Sequence, residues 1–106
     1  MPFVGGLRTR GNAIKLGSPP GKPLMVRAQV LEAWDAIRIE ADPSATVRSL
    51  KQLALRELYP ENIPDDEFVV KLNGFEILDE GAPLSATDAR DGSTFLITDR
   101  RRRPVD

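Results

Sequence analysis

Apolar and polar positions alternate with period two along Leu24–Leu31, where Val26, Ala28 and Val30 share one face and Arg27 and Gln29 the other. The same alternation returns over Ala36–Ala41, with Ile37 and Ile39 on one side and Arg38 and Glu40 on the other. These stretches predict two strands joined by a turn at Glu32-Ala-Trp-Asp35. The period then changes. Val47, Leu50, Ala54 and Leu58 fall on one helical stripe, and Thr46 before them can cap the first turn. This predicts a helix from Val47 to about Leu58 that leaves Leu53 and Leu55 partly exposed, and Pro60 stops it. Further strands are predicted at Phe68–Leu72, at Phe75–Leu78 after the Asn73-Gly74 hairpin signal, and at Thr94 to Thr98 or Asp99, where Phe95 and Ile97 face inward. Leu84, in the loop between the last two strands, is expected to plug the core. The order is β-β-α-β-β-β: a mixed sheet packed on one helix, an α+β domain.

The flanks differ from this body. Residues 1–23 are rich in Gly and Pro and contain four basic residues and no acid. They read as a flexible basic tail ending in a Pro-stiffened linker, with a short extra strand open at Ala13–Leu16. Residues 24–99 hold seven basic and fifteen acidic residues, a net of −8, and form the expected domain. Residues 100–106 open with Arg100, Arg101, Arg102 and Arg103 and form a short basic C-terminal tail. That tail is either a solubilising end or a weak, salt-sensitive docking element for nucleic acid or an anionic membrane.

Composition narrows the chemistry. The 106 residues include no Cys and no His, which removes thiolates, disulfides, Cys-ligated zinc and the usual general base near neutral pH. The expectation is a protein that is not an enzyme and uses no cofactor, metal or small-molecule substrate. Asp65-Asp66-Glu67 and Asp79-Glu80 read as solvated acids beside turns, since oxygen-only cation sites need more converging ligands. No apolar run nears the roughly 18–20 residues that span a bilayer, and no signal-peptide pattern opens the chain. The expectation is a cytoplasmic protein. Lys51 and Lys71 are open as modification sites.

Ile37 to Thr46 resembles the second strand, Glu-Pro-Ser turn and Thr helix cap of ubiquitin. Ile63-Pro64, Asn73-Gly74, Leu84-Ser85 and Ser93-Thr94-Phe95-Leu96 resemble, in order, its Ile-Pro, Ala-Gly, Leu-Ser and Ser-Thr-Leu-His segments. The resemblance covers residues 24–100 and implies a ubiquitin-like β-grasp domain. Such domains act by being bound. The chain given ends in Arg-Pro-Val-Asp where conjugated modifiers and sulfur carriers end in Gly-Gly, so the expectation is a form that is not conjugated. A modifier or sulfur carrier would require processing at that end.

The places of ubiquitin's apolar patch fall near Trp34, at Lys71 and at Thr98. The resemblance therefore implies a different receptor. It also implies that Trp34 and Phe75 sit on two turns approaching one face, with Lys71 between them. Trp34, Lys71, Phe75 and Thr98 are the expected protein-binding residues, the alternative being that the two aromatics fold back over the core edge. The expected role is an adaptor or a small accessory subunit. The Arg- and Ala-rich composition suits a bacterial protein, and the bacterial ubiquitin-like proteins of secretion systems and multicomponent oxygenases are precedents by resemblance.

Overall fold

A computed structural model describes residues 8–9, 13–18, 21–60 and 67–100. Its central hairpin pairs β3 (Leu24–Val30) antiparallel with β4 (Asp35–Ala41), in register from Leu24 opposite Ala41 to Val30 opposite Asp35. The helix α1 (Val47–Leu58) follows. Then come β5 (Phe68–Leu72), the short β6 (Phe75–Glu76) and β7 (Thr94–Asp99). β7 runs parallel to β3 and antiparallel to β5, so the first and last long strands lie side by side at the centre of the sheet. The order β4-β3-β7-β5-β6, with one helix across it, is the expected β-grasp arrangement.

Local chemistry sets the element ends. The Thr46 hydroxyl accepts from the Ser49 N–H at 3.1 Å and caps α1. The next donors, Val47 N–H and Arg48 N–H, reach the carbonyls of Ala82 at 3.1 Å and Glu80 at 2.8 Å. The late loop thus satisfies helix donors that would otherwise be orphaned. Asn73 (φ 55°) and Gly74 (φ 86°) both take left-handed conformations, as a tight two-residue hairpin requires.

The helix is more deeply embedded than its stripe predicts. Leu53 and Leu55 are buried together with Val47, Leu50, Lys51 and Ala54. At about 100° per residue these positions cover an arc of roughly 200°. A straight surface helix shows a narrower arc. Here the curled sheet and the late loop reach around both flanks, and Leu84 fills the remaining gap with no exposed surface.

The described residues ahead of Leu24 include two short strands. β1 (Arg8–Thr9) and β2 (Ile14–Leu16) pair parallel with β4, β2 in register from Ile14 opposite Ile39 to Leu16 opposite Ala41. The short strand open at Ala13–Leu16 is therefore present, and Ile14 and Leu16 pack against the core. It occupies backbone groups that an edge strand would leave unpaired. Gly17 (φ 81°) ends it, and a Cβ there would stand 2.8 Å from the Asp42 Cβ. Only glycine fits this turn, whose partner Asp42 donates its N–H to the Leu16 carbonyl at 2.8 Å.

Candidate functional site

Register places one row of side chains straight across the sheet face turned away from the helix. Gln29 on β3 lies opposite Leu96 on β7, Leu96 opposite Lys71 on β5, and Lys71 opposite Glu76 on β6. All four are half-buried. Lys71 therefore stands on the outward face, on the strand beside the β6 edge and opposite an apolar leucine.

Trp34 ends the turn between β3 and β4, one step past the short 3-10 turn Leu31–Ala33. Its N–H donates to the Leu31 carbonyl at 3.1 Å, and this closure holds its backbone at φ 52°, ψ 42°. A left-handed conformation costs a residue with a Cβ about 1–2 kcal/mol. Trp34 is nonetheless 73% exposed. It does not fold back over the core, so packing is not what keeps a tryptophan at this strained position.

Phe75 is also exposed, at 77%, but register separates it from Trp34 and from Lys71. It lies opposite Leu72, a buried core residue, so its ring leaves the sheet on the helix side. It is carried by β6, three strands from β3, which is about 14 Å sideways at ordinary strand spacing. The expected convergence of Trp34 and Phe75 on one face around Lys71 is thus corrected: the alternation of β5 and the tight Asn73-Gly74 turn send Lys71 and Phe75 to opposite sides.

Thr98 needs a correction too. It is only 7% exposed, and its hydroxyl donates to the Glu32 carboxylate at 3.1 Å. The same oxygen, Oε2, accepts from the Asp99 N–H at 2.9 Å. Thr98 and Glu32 tie the Trp34 turn to the end of β7 and so position Trp34. Nothing in the local sequence marks Glu32 for this part, because its partners lie more than 60 residues away.

The remaining expected features are structural or lie elsewhere. Lys51 is 2% exposed, donates to the Phe68 carbonyl at 3.0 Å and pairs with Glu80 at 2.6 Å. It is an internal strut between α1, β5 and the late loop, and a modifying enzyme cannot reach it in the folded state. Glu80 is thereby committed to Lys51, and the Asp79 carboxylate accepts from the Gly81 N–H at 3.1 Å. Both acids of that pair have structural duties. Tyr59, half-buried, sets its ring edge-on to Phe68 with centroids 6.0 Å apart. Arg100 is exposed, while Arg101, Arg102 and Arg103, along with Ile63, Pro64, Asp65 and Asp66, lie outside the described residues. One exposed apolar residue was not expected: Leu78, at 85%. Its signal was the adjacent pair Ile77-Leu78, of which a strand can turn only one inward.

No family profile matches the sequence, and no curated protein matches it. Solved structures do match in shape. The solution NMR structure of a ubiquitin-like domain from an Arabidopsis thaliana protein superposes with a TM-score of 0.60 at 20% identity, over 82% of this chain and 88% of that one. Together with the strand order, the capped helix and the late-loop plug, this likeness establishes that the chain has the ubiquitin-like β-grasp fold.

Proposed function

We propose that this domain is a non-catalytic protein-interaction module, an adaptor or small accessory subunit recognised at Trp34 and the neighbouring outward row of Gln29, Leu96 and Lys71. One observation carries the reading: a tryptophan is both strained in its backbone and exposed in its side chain. Each is a cost to the isolated domain, and a partner that buries the indole offsets both. Tryptophan is the residue type most enriched among the few that dominate binding energy at interfaces. Lys71 beside Leu96 adds a charge that fixes orientation.

Affinity capture from cells, read by mass spectrometry, tests the proposal. The tagged chain is compared with Trp34→Ala and with Lys71→Glu, each shown to be folded by circular dichroism. Loss of the same partner set in both variants is expected. Retention of that set by a folded Trp34→Ala variant refutes the proposal.

A further inference from the structure

A second surface lies on the helix side of the sheet at its β6 edge, away from Trp34. An open groove of about 350 Å³ runs between β6 and the loop that carries the 3-10 turn Leu84–Ala86. Its floor is Leu72 and Ile77, and exposed Phe75 forms one wall. The groove exists because the facing loop offers small side chains, Ala82, Ala86 and Thr87. The Thr87 hydroxyl is already used, donating to the Leu84 carbonyl at 2.6 Å and accepting from the Ala89 N–H at 3.1 Å. It has no donor to spare for an anionic ligand.

Charge around the groove has one sign. Among the described residues, the acids Asp79 and Asp88 line it and no basic residue does, while Glu76 borders it with its side chain on the outward face opposite Lys71. Lys71 stands on the far face, and Arg90 lies two residues past Asp88. From this we infer that the groove docks a basic, amphipathic segment of a partner protein. An aliphatic side chain of that segment enters between Leu72, Ile77 and Ala86, and an arginine lies over the Phe75 ring and reaches the carboxylates. Arginine fits this setting better than lysine, because its planar guanidinium both stacks on an aromatic face and pairs with carboxylates. The groove is open and continuous with the exposed ring, which suits an extended chain. This inference goes beyond the interaction reading above, and none of Trp34, Gln29, Leu96 and Lys71 lines the groove.

The test is an amide-resolved NMR titration of the full chain with an end-blocked hexapeptide of alternating arginine and leucine. Shifts confined to residues 75–77, 82 and 86–88 are expected, with affinity falling several-fold between 50 and 300 mM salt. Ala86→Leu, which fills the groove, weakens binding at least tenfold. Asp88→Lys, on the exposed rim, weakens it at least fivefold. Trp34→Ala leaves it unchanged, so failure here and failure of the Trp34 proposal read out separately. Equal binding of a serine–leucine hexapeptide, or of free arginine amide, overturns the inference. So do shifts scattered over the acidic body, or none at millimolar peptide. Groove shifts on concentrating the protein alone would assign the site to a second copy and likewise overturn it.

Discussion

Replacing Trp34 by glycine separates an exposed anchor from a core residue by a large margin in energy. A packed tryptophan truncated to a small residue costs about 3–5 kcal/mol. Here only about a quarter of the residue is covered, since 73% is exposed. A large aromatic buries at most roughly 250 Å², so the covered part is about 65 Å². At about 25 cal/mol per Å² its loss costs about 1.5 kcal/mol, an upper bound because the unfolded chain also covers some of that surface. Against this, glycine at φ 52° removes a left-handed penalty of about 1–2 kcal/mol. The two effects nearly cancel, and Trp34→Gly changes stability by less than about 1 kcal/mol. Trp34→Ala keeps the backbone penalty and loses the contact, so it falls about 1 kcal/mol below the glycine variant. Urea denaturation of the three proteins, compared at equal m-values, reads this directly. A loss of 3 kcal/mol or more in Trp34→Gly would refute the reasoning, because the indole would then be part of the core.

Other outcomes follow from the internal struts. Lys51→Ala strands the Glu80 carboxylate and the Phe68 carbonyl and destabilises by about 3 kcal/mol, whereas Lys51→Met with Glu80→Gln recovers more than half of that loss; both are measured by urea denaturation. Lys51 is also the last described lysine to react with an amine-labelling reagent in the folded protein, as peptide mass mapping can show. Glu32→Ala frees the Thr98 hydroxyl and the Asp99 N–H together, costs about 2 kcal/mol and speeds amide exchange at Asp99. Thr46→Ala costs about 1 kcal/mol by removing the helix cap.

Features set by neighbours in the chain were legible in the sequence. Thr46 as a cap, Asn73-Gly74 as a tight hairpin and the two alternating runs of the β3–β4 pair all act within a few residues. Leu84 was legible as a plug because an isolated leucine in a polar loop has few other places to go. Features set by register and curvature were not. The exposure of Trp34 depends on where the β3–β4 turn points. The face taken by Phe75 depends on which residue of β5 it opposes. Leu53 and Leu55 looked peripheral on a straight helix, but the sheet curls around it. Lys51 read as an ordinary surface lysine until β5 and the late loop closed over it. The acidic groove was least visible of all, since it comes from small side chains facing a strand about ten residues earlier.

The central claim is that Trp34 serves a partner and not the fold. Once capture has supplied that partner, its affinity for the wild-type chain and for Trp34→Gly can be measured by titration calorimetry under conditions where both are folded. A weakening of at least 100-fold is expected, the loss of an interface anchor with no loss of stability. A change of less than threefold would contradict the claim.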